Sequence, residues 1–232
     1  MALTIGTGIT LGGGITFALT RSIVTDGLIL NVDAGNLASY PGTGTTWYDI
    51  SGAGNNTTLV GSPPWTDAGD QSYFTFNPGA GYADGGYILP NTTYTKVVVF
   101  RVPGAFNNLL GGDGSNQHTF WGSSSQYLNA GHNGDWSTIT SPVITPVNQW
   151  VFGAVSFSST TGWRLYLNNE TPVTNPSTTQ FAPNPAFIEI GGFDGNANNL
   201  GGDIVSALIY NRVLSDEEIA QDFSYYQSRF GI

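Results

Sequence analysis

Seven short runs of β-branched and aromatic residues, each bounded by Gly, Pro, Asn, Asp or Ser, limit this chain to an all-β architecture. They are Gly27–Asp33, Ser72–Asn77, Thr95–Val102, Trp150–Phe157, Trp163–Asn168, Ala186–Ile190 and Ile204–Tyr210. Runs of this length fit strands, and the clusters between them supply the turn geometry that ends each one. Many such segments in succession indicate a sandwich or jelly roll. Trp163, Leu165 and Leu167 alternate with Arg164 and Tyr166, which predicts one buried and one wetter face. Asn168-Asn169 then predicts a tight hairpin turn, because Asn tolerates positive φ.

The two ends read differently. Near the start, Gly6-Thr-Gly-Ile-Thr-Leu11 is followed by Gly12-Gly-Gly-Ile-Thr-Phe17, a six-residue repeat whose apolar positions lie two apart. Ile5, Ile9, Leu11, Ile15 and Phe17 are therefore expected to share the apolar face of a β arm spanning residues 1–25. Two such units cannot bury that face alone. Either the arm is an edge strand packed on the body, or it docks on another chain. At the C-terminus, Ser215 with Glu218 forms a capping box, and Leu214 with Ile219 a hydrophobic staple. Asp216, Glu217 and Glu218 favour the helix start, Ile219, Phe223, Tyr226 and Phe230 recur at helical spacing, and Gly231 can end the helix.

Composition removes several functions. The 232 residues carry 6 basic and 16 acidic side chains, a net charge of −10, and only 9% are charged. An ordinary soluble domain has about 25%. Nucleic acid is excluded as a partner, because phosphate neutralisation needs clustered Lys and Arg, and an anionic membrane surface is excluded for the same reason. With no cysteine there is no disulfide framework, thiolate zinc site or thiol chemistry. No window of about 20 apolar residues is present to span a bilayer. The N-terminal segment lacks the charged leading region and unbroken apolar stretch of a secretory signal. A protein made and kept in a cytoplasm is expected.

Several motifs resemble one family. Asn148–Phe157 followed by Gly162–Asn169 resembles the core hairpin of concanavalin A-like, laminin G-like jelly rolls. Ile188–Gly192 resembles the next strand, and Gly202–Ile219 the closing strand and helix. Trp47–Asn56 is similar to the Asp-x-Ser-Gly-x-Gly-Asn turn of the bacterial and phage branch. The resemblance implies a concanavalin A-like jelly-roll sandwich over residues 26–232, with an N-terminal β arm and a short C-terminal helix. One departure is that Val205 and Ser206 stand where family members often carry an acidic pair. The Met-Ala opening into repeated Gly-x-Gly-Ile-Thr resembles the start of tailed-phage structural proteins. That likeness implies a capsid decoration or head fibre on the virion surface, with the arm bound to the major capsid protein or another virion protein. A homo-oligomer, with a trimer expected, would cover the arm.

Sites for chemistry are scarce. Glycoside hydrolysis needs two carboxylates about 5 to 9.5 Å apart. The nearest match to the superfamily's glucanase strand is Glu189-Ile-Gly-Gly-Phe-Asp194, with Gly at the central position, and the chain has only four glutamates. No enzyme is expected. His118 and His132 lie in a Gly-, Ser- and Asn-rich stretch and read as polar surface residues, or as a metal pair if two strands bring them together. No cofactor is required. Calcium is the one candidate, with Asp194, Asn196, Asn198 and Asp203 as hard oxygen ligands, against a reading of the same residues as a polar turn. For a glycan, Trp121, Tyr127, Asn129, His132, Asp135 and Trp136 could form an aromatic platform with polar partners. The alternative makes Trp121 and Trp136 half-buried strand residues. Three functions follow in order: a non-enzymatic virion module, a lectin binding host-surface glycans, and a glycoside hydrolase with unrecognised carboxylates.

Overall fold

A computed structural model describes residues 21–79, 81–114, 117–195 and 198–232, together with the backbone of two short strands near the N-terminus. Those are β1 (Thr10–Leu11) and β2 (Ile15–Thr16). The body opens with β3 (Leu28–Asp33), β4 (Thr46–Trp47), β5 (Thr57–Val60), β6 (Trp65–Thr66), β7 (Tyr73–Phe76) and β8 (Tyr82–Leu89). It continues through β9 (Thr93–Arg101), β10 (Leu110–Gly111), β11 (His118–Gly122), β12 (Tyr127–His132) and β13 (Asp135–Ile144). The last strands are β14 (Val151–Ser158), β15 (Gly162–Leu167), β16 (Val173–Asn175), β17 (Ala186–Ile190) and β18 (Gly202–Tyr210), before helix α1 (Asp216–Phe230).

An eight-stranded antiparallel sheet, β16-β15-β14-β9-β18-β7-β6 with β3 beside β18, forms the backbone of the sandwich. Its inner face packs on a five-stranded sheet, β10-β17-β8-β5-β4, and a three-stranded one, β11-β12-β13. Alternation along β9 assigns each side chain. Val98 and Phe100 enter the core between the sheets, while Val97 and Val99 face α1. Gly153 of β14 lies opposite Val98, and a Cβ there would meet Phe100, Phe120 and Leu128 at 3.2–3.3 Å. That position is small because the sheets approach closely. On the outer face, Leu214, Ile219, Phe223 and Tyr226 pack over Phe152, Leu208 and Tyr210.

The helix starts as its sequence requires. Ser215 caps it with a reciprocal Glu218 bond, and Gly231 ends it in the left-handed conformation at φ 70°. Asn168 turns the β15–β16 connection at φ 48°. The wetter face expected for β15 holds at Arg164, whose side chain keeps 38% of its exposure, but not at Tyr166, which is buried with the α1 cluster and donates its hydroxyl to Asp216 at 2.7 Å. The Asp49–Asn55 turn is held by its own acid. Asp49 accepts from the backbone N–H of Asn31, Ser51 and Asn55 at 2.8–2.9 Å, which fastens the loop to β3.

In the arm, Leu11 and Ile15 are cross-strand partners, as are Thr10 and Thr16. Ile5, Ile9 and Phe17 lie outside the described residues. The boundary at 25/26 falls within a packed contact. Val24 is buried on the α1 face, its N–H donates to Asp222 at 2.8 Å, and its carbonyl accepts from Tyr210 at 3.0 Å.

Candidate functional site

The polar stretch that carries the two histidines folds as β11, β12 and β13, and its register decides which side chains face inward. His118 and Phe120 of β11 are fully buried; between and beyond them, Thr119 and Trp121 take the opposite face. Trp121 donates its indole N–H to the Trp136 carbonyl at 2.6 Å. Trp136 in turn meets Phe193 edge-on, with ring centroids 5.5 Å apart. Asn108 bridges β11 and the loop after β17: it pairs with Trp121 on one side and Asn199 on the other. Its amide donates to Asn107 Oδ1 at 3.0 Å and the Asn198 carbonyl at 3.2 Å.

These groups enclose a depression of about 210 Å³. Trp121, Trp136 and Phe193 supply aromatic walls, with Asn107, Asn108, Thr119 and Asn198 between them. Asn108 Oδ1 and Thr119 Oγ1 are buried with no hydrogen-bond partner within the chain. An unsatisfied buried oxygen costs about 1–3 kcal/mol; these two lie beneath the surface, and the polar side chains open to a ligand are those of Asn107 and Asn198. On the other side of Trp121 a more open depression of about 640 Å³ shares Asn107, Trp121 and Asn198 with the first.

The six residues expected at a glycan platform separate. Trp121 and Trp136 line the depression, partly exposed. Tyr127 and Asp135 are not among its lining residues. Asn129 is buried and already bonded to the Tyr127 carbonyl and the Thr140 hydroxyl, both at 2.7 Å. His132 is buried, so neither can touch a sugar. Asn107, Asn108, Thr119 and Phe193 were not foreseen. Their one sequence signal is the Asn107-Asn108 pair in a loop, since strand alternation about Trp121 only becomes visible once β11 is known.

The expectation of surface histidines is corrected. His118 and His132 are direct cross-strand partners, both buried. His118 Nε2 faces the Phe187 carbonyl at 2.9 Å, so it carries the proton and Nδ1 accepts from Lys96. His132 Nδ1 faces the Thr179 carbonyl at 2.8 Å and Nε2 accepts from the Tyr94 hydroxyl at 2.8 Å. Burial pushes the Lys96 ammonium and the His118 imidazolium well below their ordinary ranges, and brings His132 down to about 3. The rings are used by the core, not offered to a metal.

The carboxylates are also engaged. Asp203 accepts from Arg101 at 2.7 and 3.0 Å and from the Thr75 hydroxyl at 2.7 Å. Asp194 stands in a left-handed turn, Asn198 borders the depression, and Asn196 lies outside the described residues. Among the described residues, no three His, Asp or Glu side chains are placed to share a metal ion. Glu189 sits opposite Asp84 and is 1% exposed. Burial raises it to about 7, with Asp113, Asp194 and Asp84 adding and the Gly195 N–H opposing.

Residues 87–220 match the family model of the laminin G type in the concanavalin A-like lectin/glucanases superfamily. The chain belongs to this superfamily. No curated protein matches the sequence. Among solved structures, a Trypanosoma rangeli sialidase mutant displaying trans-sialidase activity is similar at 14% identity and TM-score 0.63, over 91% of this chain and 35% of that one. Domain 4 of AbnA, a GH43 extracellular arabinanase from Geobacillus stearothermophilus solved with arabinotriose, aligns at 15% identity and TM-score 0.63. There the match covers 84% of this chain and 97% of that one. The binding domain of Botulinum neurotoxin DC, solved with rat synaptotagmin II, gives 14% and 0.63, over 86% and 52%. This chain thus spans about a third of the sialidase and nearly all of the arabinanase domain. The likeness in each case is one of fold.

Proposed function

We propose that this chain is a carbohydrate-binding jelly roll without catalysis of its own, which holds a sugar between Trp121 and Trp136. The observation that carries the reading is the aromatic-walled depression in which the partly exposed Trp121 and Trp136 stand beside the accessible amides of Asn107 and Asn198. Pyranose and furanose rings offer C–H faces to stack on indoles and hydroxyls to donate to such acceptors. The superfamily is one of lectins and glucanases, and the arabinanase domain of matching extent was solved with arabinotriose. Glu189 has the raised proton affinity of an acid catalyst. It is nevertheless enclosed, with Oε1 accepting from Gly195 at 2.9 Å and Oε2 buried, so it supports binding rather than hydrolysis.

On a glycan array the full chain should bind at least one glycan class, and Trp121→Ala should remove that binding. Binding that survives both Trp121→Ala and Trp136→Ala would place the site elsewhere. Turnover of a polysaccharide that is lost in Glu189→Gln would instead make the chain a hydrolase.

The finer setting is a displayed module of a tailed-phage virion, fixed through the N-terminal arm. It is supported by the repeated Gly-x-Gly-Ile-Thr segment and by the Leu11–Ile15 pairing within it. The measurement is co-sedimentation of the full chain and of a chain lacking residues 1–20 with particles. Equal incorporation of both would end the attachment role.

A further inference from the structure

The groove does not stop at Trp121, and the one ion pair along it, Arg101–Asp203, stands at its far end. A third depression of about 520 Å³ adjoins the 640 Å³ one, sharing Pro78, Ala105 and Gly201, and ends at Asn148 and the Arg101–Asp203 pair. A compact organic ligand fills roughly 300–1,000 Å³. The indole-walled pocket therefore suits one ring, while the connected depressions leave room for more units in line.

All six basic side chains of the protein are accounted for. Lys96 is in the core. Arg164 pairs with Asp216, Arg212 with Glu218 and Asp26, and Arg229 with Asp33. Arg21 donates to the Ser224 carbonyl on the helix. Arg101 is the one cation on the groove, and its charge is paired with Asp203, which accepts from its Nε and Nη2. A carboxylate or sulfate laid in this groove would lose water without gaining a free cation. It would also approach a protein of net charge −10.

We propose that the groove takes a neutral oligosaccharide of about three or more units, running from Trp136 past Trp121 to Asn148, and that it rejects acidic glycans. This rests on the glycan-binding reading and adds the length and charge of the ligand. The indoles provide stacking, and Asn107 and Asn198 provide neutral hydrogen bonds to hydroxyls.

Calorimetric titration of the full chain with neutral arabinan, glucan and galactan oligosaccharides of two, three and six units tests it. Sialylated and sulfated chains of matched length form the second arm. In the neutral series that binds, affinity should rise about tenfold from two units to six, with acidic chains at least about tenfold weaker. Asn148→Gly, chosen because Asn148 holds φ 56° and is exposed, should lower hexasaccharide affinity and leave the disaccharide unchanged. Asp203→Asn, which frees Arg101, should strengthen binding of the acidic chains several-fold. Affinity independent of length, or acidic chains binding as well as neutral ones, overturns the proposal while leaving the glycan site standing. Failure of every glycan on an array overturns the glycan-binding reading itself, and this one with it.

Discussion

At the residue scale, the unusual group is Lys96, the protein's one lysine, fully buried with Nζ directed at His118 and at the Leu110 carbonyl 3.3 Å away. Each histidine beside it has one nitrogen facing a carbonyl and the other accepting, so both are fixed as neutral tautomers. The consequence for pH has a definite sign. His132 titrates near 3 in the fold and near 6.5 when unfolded, so the unfolded chain takes the proton first. Its contribution is complete above about pH 6.5 and is lost as pH falls toward 3. Asp222 and Glu189, raised to about 6 and about 7, act oppositely: they favour the fold at low pH and lose that effect as pH rises through those values. A His132→Gln variant separates the terms. Between about pH 7 and pH 4, wild type should lose roughly 3 kcal/mol more stability than the variant, read from urea midpoints. Coincident losses would mean His132 is not held neutral. None of this was legible in the sequence, where the stretch from 111 to 137 looks like polar loop. The missing information is the cross-strand register that sets His118 against His132.

Among the elements, α1 was the most readable, since its cap, staple and 3.6-residue stripe all point to one start and one face. The Ser215 hydroxyl accepts from the Glu218 N–H, and Glu218 returns the bond while taking two more from Arg212 at 2.7 and 2.8 Å. Ser215→Ala should therefore lower stability by about 1 kcal/mol, measured by urea unfolding. A change below about 0.3 kcal/mol would show that Arg212 holds the helix start without the cap. The strands β14 and β18 were legible because they are largely buried on both faces and read as near-continuous apolar runs, and β15 because Trp163, Leu165 and Leu167 alternate with Arg164 and Tyr166. β8 was not, because Asp84-Gly85-Gly86 interrupts it. Gly85 lies where a Cβ would press on Ile188 at 3.2 Å, Gly86 has φ 70°, and the pairing with β17 shifts register there. β11 to β13 escaped because half of their side chains face the groove or each other and are Thr, Asn or Ser. Trp121 and Trp136 could be nominated from sequence as aromatic groups near polar ones; Asn108 and Phe193 reach them only through the fold.

For the molecule as a whole, the position of the N-terminal boundary follows from what covers the outer face of the large sheet. The helix does not close that face alone. Val24 and Ile23 complete its apolar cluster, and Val24 supplies one of the two donors to Asp222, a carboxyl group with no exposure. The other donor is the Tyr210 hydroxyl at 2.8 Å. Residues 21–25 thus belong energetically to the body, though their composition groups them with the arm. A chain lacking residues 1–20 should unfold within about 0.5 kcal/mol of the full chain. A chain lacking 1–25 loses the burial of Val24, about 1.5–3 kcal/mol, and leaves Asp222 one donor short, which costs about 1–3 kcal/mol. These overlap, so a net loss of about 2–4 kcal/mol is expected for the longer deletion. The comparison is between urea midpoints of the three chains at one pH. Equal midpoints for both deletions would move the boundary back to 25/26, and a loss already complete in the shorter deletion would make the arm part of the folded domain.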